Sequence, residues 1–267
     1  MKGGRRGIVD NVVVVAIAVV FVVPWLWMIS LSLKSRSEIF RLPPRLLFPI
    51  TSDNYRTAFL EKGFDSDLAN TLVVGILSAA VAMAIGVPAA FAVSRSSRRL
   101  DQLFFFVLTT RMVPPVAVAL PLFLALSRLG LVKSVWGIVL VHAAANVSLV
   151  VLLMRGFFDR IPREMDEAAQ MDGASIPRLL LENAIPLALA GVVLTGFVVF
   201  LLSWNEFFFA SVLTTAENRT LPVAVPGLVT PHGTYWGQVA AVGTVATLPS
   251  AIALWLLWRF VASQEVR

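Results

Sequence analysis

Long apolar runs separated by shorter polar links dominate this 267-residue chain. A helix needs about 20 mostly apolar residues to cross the hydrocarbon core of a bilayer. Runs of that kind cover roughly Val12–Leu33, Leu68–Val93, Leu103–Leu126, Val135–Met154, Leu187–Leu213 and Val239–Val261. They predict an all-α fold, a polytopic bundle of six transmembrane helices forming a single transmembrane domain over residues 1–267. Pro114 and Pro115 interrupt the third run and predict a kink there. Lys2, Arg5 and Arg6 ahead of the first run resemble the start of a signal peptide, but the run is too long for a secretory core. It reads as a retained first span.

Composition supports lipid as the solvent. The chain is 58% hydrophobic and only 14% charged, whereas soluble domains carry about 25% charged residues. Cysteine is absent, which excludes disulfides and thiolate chemistry, and His142 and His232 are too few for a histidine-built metal site. The net charge of +6 does not point to nucleic acid, because the basic residues flank apolar runs instead of forming aromatic-studded patches. With the amino terminus inside, twelve Lys and Arg fall on the cytoplasmic side and nine outside. Six of the nine lie in one long link together with five acidic residues, so both termini are expected in the cytoplasm.

The polar stretch Arg155–Pro186 has its own pattern. Pro162 suits a first helical turn, and Glu164, Asp166 and Glu167 suit the positive end of a helix. Met165, Ala168 and Ala169 share one shallow apolar face. Gly173 suits a left-handed stop, and Ser175 suits the cap of a second helix, with Pro177 in its first turn and Pro186 near its end. The expectation is a cytoplasmic helix, a sharp turn and a second helix. Resting on lipid is one reading of such a hairpin. Its four Arg against six acids are the wrong sign for an anionic leaflet and better suit a partner with basic groups.

Glu167-Ala168-Ala169, then Gly173, then Ile185-Pro186 resembles the EAA loop of binding-protein-dependent ABC importer permeases. Asn183 and Ile185 depart from the usual aliphatic and Leu. The likeness extends through Asp53-Asn54-Tyr55, Asn70-Thr71, Ala89-Ala90-Phe91 with Arg95, Pro114, Pro121-Leu122 and Leu129-Gly130-Leu131. It continues in Ser203-Trp204-Asn205-Glu206-Phe207 and Leu221-Pro222-Val223. It narrows to carbohydrate-uptake permeases similar to the smaller membrane subunit of maltose transporters. The ending Ala262–Arg267 lacks the glycine-rich tail frequent in that family.

The resemblance implies a permease subunit in a bacterial inner membrane, forming half of a translocation path with a second, usually non-identical permease. It implies two ATPase subunits and an extracytoplasmic sugar-binding protein as partners. It also implies Glu167, Ala168, Ala169, Asp172, Gly173, Ala174 and Pro186 as the residues that couple to the ATPase. The chain has no Gly-x-x-x-x-Gly-Lys-Ser/Thr loop, so ATP and Mg are expected on the partner and no cofactor or metal here.

Polar residues inside spans are the remaining candidates, because their burial in lipid is costly. Asn205 and Glu206 near the end of the fifth span suit a path or gate, or a local cap. Arg111 in the third span would cost about 2.5–3.5 kcal/mol at midplane depth and so calls for a cavity or a partner carboxylate. His142 and Asn146 share a face at i, i+4, suited to interhelical hydrogen bonding or to the path. Other readings are a permease for a solute such as a glycerol phosphate, a gradient-driven carrier, or an intramembrane protease. The chain shows no convincing internal repeat for the carrier and no Gly-x-Ser-Gly within a span for the protease.

Overall fold

The computed structural model describes residues 3–96, 98–231 and 233–264; Lys2, His232 and Glu265–Arg267 lie outside them. The main helices are α1 (Gly3–Ser32), α2 (Phe64–Arg95), α3 (Arg98–Thr109), α4 (Pro115–Arg128), α5 (Val135–Phe158), α6 (Arg163–Met171), α7 (Leu189–Trp204), α8 (Phe208–Leu213) and α9 (Trp236–Gln264). A two-stranded antiparallel hairpin, β1 (Val229–Thr230) with β2 (Gly233–Thr234), is the sheet among the described residues. The all-α expectation therefore holds.

Helices win here because hydrocarbon offers no partner to a free peptide group. Among the described residues, Asn11–Ser32, Phe64–Arg95, Val135–Phe158 and Trp236–Arg259 are each long and apolar enough to cross a bilayer. The third and fifth expected spans are not straight helices. Phe104–Met112 and Pro115–Arg128 meet at 101°, and Ile176–Leu187 and Leu189–Trp204 meet at 86°. In the first pair Pro115 has no amide to donate, and a 3-10 turn at Thr110–Met112 precedes it. The fifth expected run also breaks after Trp204, so Leu187–Leu213 is a bend, a helix, a short gap and the separate helix α8.

The chain divides into two compact units. The first joins the residues up to Ser66 to Ala224–Pro249. Here the link after α1 folds back onto the helix end. Asn54 Nδ2 donates to the carbonyls of Ser32 and Lys34 at 2.9 and 2.8 Å, and the Tyr55 hydroxyl bonds Ser32 Oγ at 2.7 Å. Asn54 thus closes the carboxyl end of α1, which gives the Asp53-Asn54-Tyr55 motif a structural purpose. Lys34, one of the six basic residues counted in the long outer link, is buried; its ammonium donates to the Arg45 carbonyl at 3.0 Å and sits over the rings of Trp27 and Phe48.

The second unit comprises Asp67–Val223 and the residues from Ser250 onward. Its centre is α5, 61% of whose apolar window is buried, against none for α1 of the other unit. One cluster packs Ala82, Ala90 and Phe91 of α2 with Val150, Met154 and Phe158 of α5 and Val199 of α7. Small residues let these helices approach closely, the usual device where lipid gives no net hydrophobic drive to pair them. A Cβ on Gly86 would stand 2.5 Å from Val150, and one on Gly191 would stand 2.3 Å from the Phe157 ring. The Leu221-Pro222-Val223 motif docks on the start of α2: Leu221 N donates to Thr71 Oγ1 at 2.7 Å, and Arg219 pairs with buried Asp67 at 2.9 Å.

Gly191→Val should therefore force α7 away from α5 and destabilise the unit by about 1–3 kcal/mol, the usual cost of overpacking. A lower unfolding temperature in detergent is the expected readout. Gly156→Ala, whose Cβ meets nothing within 4 Å, should leave it unchanged.

Candidate functional site

The hairpin after α5 is formed as a helix, a left-handed turn and a second arm. Helix α6 starts at Arg163, one residue after Pro162, with Glu164 and Asp166 in its first turn. It stops at Gly173, which has φ +83°. Gly173 N donates to Gln170 O at 2.9 Å and Ala174 N to Ala169 O at 3.0 Å, the paired bonds of a glycine-closed helix end. Ser175 stands at the start of the second arm, but its hydroxyl makes no capping bond there. That arm runs Ile176–Arg178, then a π-wound stretch Leu179–Ala184 containing Asn183, then Ile185–Leu187 with Pro186 exposed.

The shallow apolar face of α6 is largely left open, and its buried position is an acid. Asp166 is its one buried residue and Ala169 is half-buried, whereas Met165 is 45% and Met171 89% exposed. Glu164, Glu167, Ala168, Asp172 and Gly173 are exposed too, and Ala174 is half-buried. The hairpin thus presents acids, Ala168 and methionines outward together. Buried Asp166 is held by Arg95, at the end of α2, through its Nε. The same guanidinium donates from Nη1 to Phe158 O at 3.0 Å and Ser94 Oγ at 3.1 Å, and from Nη2 to Ile161 O at 3.3 Å. Ser94 Oγ donates to Asp159 Oδ1 at 2.6 Å, and Arg163 Nη2 to Ser94 O at 3.2 Å.

Sequence reasoning used Arg95 as a topogenic charge and as part of the family likeness after Ala89-Ala90-Phe91, and named no partner for it. The available signal was its place at the end of a span, where a cation meets unbonded helix carbonyls. Which of the neighbouring acids it would choose could not be read, since Glu164, Asp166 and Glu167 are equally charged.

A second polar cluster lies within the bundle. His142 on α5 bonds Ser203 Oγ on α7 through Nδ1 at 2.8 Å and Glu206 Oε2 through Nε2 at 3.0 Å. Glu206 also accepts from Phe209 N at 3.0 Å and Ala210 N at 3.1 Å, which caps α8. Asn146 is buried and donates to His142 O at 2.9 Å within its own helix. Asn205 is exposed and donates to Leu201 O at 2.8 Å. Arg111, expected within the third span against a cavity or a partner carboxylate, sits exposed in the turn of the 101° bend, with no ion pair among the described residues. The structure therefore unites His142, Ser203 and Glu206 and leaves Arg111 apart from them. No group of three or more metal-binding side chains converges among the described residues.

Residues 82–263 match the family described as "Binding-protein-dependent transport system inner membrane component", a stretch that contains the hairpin, the Arg95 anchor and the His142 cluster. The chain belongs to this family. As a member it is a multi-pass inner-membrane protein of the ABC permease type. It is 30% identical to the trehalose transport system permease protein SugB of Mycobacterium tuberculosis, over 98% of this chain and 96% of that one. It is 29% identical to the trehalose/maltose transport system permease protein MalG of Thermococcus litoralis, over 93% and 91%. Among solved structures, a chain of a bacterial ABC transporter involved in the import of the acidic polysaccharide alginate superposes with a TM-score of 0.81 at 25% identity, covering 97% of this chain and 98% of that one.

Removing the Glu206 carboxylate leaves two amides of α8 and the imidazole of His142 without their acceptor. Glu206→Ala should cost about 1–2 kcal/mol through the lost cap alone. Glu206→Gln, which keeps an acceptor oxygen, should lose less. The two unfolding temperatures in detergent check the order.

Proposed function

We propose that this chain is a permease subunit of an ATP-driven importer, forming half of the transmembrane path for a carbohydrate delivered by an extracytoplasmic binding protein. The observation that carries the reading is the exposed hairpin face, in which Glu167, Ala168, Asp172 and Gly173 stand free of the chain's own packing. A helix that spends its single buried residue on an internal ion pair keeps its acids and small residues for another protein. The sugar-handling relatives support the carbohydrate class.

In this reading two ATPase subunits receive such hairpins from two permeases, this chain and a non-identical mate. Glu167 pairs with a basic residue of the ATPase, Ala168 and Ala169 allow close approach, and Gly173 with Ala174 makes the turn. Asp172 adds charge at the helix end, and Pro186 closes the second arm. ATP and Mg bind the ATPase. ATP-driven closure of the two ATPases moves the hairpins and tips the spans between inward and outward states. Asn205 and Arg111, both exposed, are the residues assigned to the path. Asn146 and Glu206 support it from within. Both termini lie in the cytoplasm, on the same side as the hairpin.

The test is an affinity pull-down of the tagged chain from gently solubilised native membranes, run beside Gly173→Asp. A Cβ at Gly173 meets nothing within 4 Å of this chain. The left-handed backbone costs a non-glycine residue about 1–2 kcal/mol, so complete loss of a partner reports that partner's surface. The expected outcome is recovery of an ATPase, a second permease and a solute-binding protein, with the ATPase lost from the variant. A chain recovered alone that still supports uptake without ATP would sink the proposal.

A further inference from the structure

Helix α6 is tied to its own chain by very little apolar packing. Its one buried residue is a carboxylate, Asp166. Beside it lies a cavity of about 690 Å³, whose lining includes Pro88, Phe91 and Ala92 of α2 and Ile176 and Leu180 of the second arm. Among the described residues of α6, apolar packing against the core comes down to half-buried Ala169. The guanidinium of Arg95 stands in the same wall and reaches three elements at once. It bonds Asp166 on α6, the final carbonyl of α5 at Phe158, and Ile161 in the link between those two helices. Both side chains are largely shielded, at 16% and 10% exposed, so the pair is weakly screened by salt. The planar fork also fixes directions as well as distance, which a lysine could not do.

We infer that Arg95, acting through Asp166, is the positioning residue that makes the coupling helix α6 move as one body with the ends of α2 and α5. The inference rests on the proposed importer function and deepens it, because it names the route from hairpin to spans. Force applied to the outer face of α6 reaches α2 and α5 through the guanidinium. The second arm enters α7 through the 86° bend instead and takes a different share of the motion. Without the pair, an ATPase would still find the exposed face of α6. Its strokes would swing that helix into the neighbouring cavity and leave α2 and α5 unmoved.

The chain has no cysteine, which allows a direct test in the complete importer, with the other subunits made cysteine-free. The readout is stimulation of ATP hydrolysis by the co-purified binding protein, a signal that must cross the membrane. Asp166→Ala should retain the ATPase in the pull-down and lower that stimulation about 10-fold, within the range seen for substitutions along a coupling route. Arg95→Cys with Asp166→Cys should be equally defective. Bridging the two thiols with a short bis-methanethiosulfonate should restore stimulation, and reduction should abolish it again. A merely structural role would not give reversible rescue. The inference is overturned by normal stimulation in Asp166→Ala, by loss of the ATPase from that variant, or by a bridged pair that stays defective. A wild-type chain that recovers no ATPase would instead remove the importer reading itself.

Discussion

Every peptide group that enters hydrocarbon must find a hydrogen bond inside the protein, and this demand is sharpest wherever a helix stops. The chain answers it with polar side chains placed at helix ends. Asn54 takes the last carbonyl of α1 and that of Lys34 just beyond it, Arg95 takes those around the end of α5, and Glu206 accepts from the first amides of α8. Each of these residues looks like a functional outlier in an apolar sequence. Each is first of all a terminator that lets the backbone change direction. Once the stops are satisfied, small residues such as Gly86 and Gly191 allow the intervening helices to close on α5.

The same economy links structure to transport. Arg95 and Glu206 do more than finish a helix, because each also reaches a second element, α6 in one case and α5 in the other. A cap shared between elements is stiff, and stiffness is what a coupling device requires between an energy-supplying partner and a path. The hairpin leaves Glu164, Glu167 and Asp172 exposed and buries Asp166 against Arg95.

Much of this was legible in the sequence. Apolar runs gave the spans because lipid thickness leaves a helix few alternatives, and Gly173 announced a left-handed stop that the φ of +83° matches. The bends were harder. Pro114 and Pro115 announced a kink but carried no information on its angle, which depends on how the flanking arms pack. The break after Trp204 was invisible because Phe207–Leu213 continues the apolar pattern, and only the Glu206 cap separates α8 from α7. Lys34 read as a loop charge because periodicity says nothing of aromatic rings folding over an ammonium. In the hairpin, the shallow apolar face of Met165, Ala168 and Ala169 was legible from spacing, but the choice of Asp166 as the buried partner of Arg95 was not, because neighbouring acids share its charge.

The elbow between α3 and α4 has a consequence for how the chain meets its surroundings. At about 1.5 Å per residue the two arms, of 12 and 14 residues, measure about 18 and 21 Å. A fluid acyl layer about 30 Å thick is taller than either. Neither arm bridges it alone, and the joint between them carries an arginine and opened backbone that oil cannot solvate. The joint must therefore meet water or another protein, so an apolar composition does not make every side of this chain a lipid-facing one.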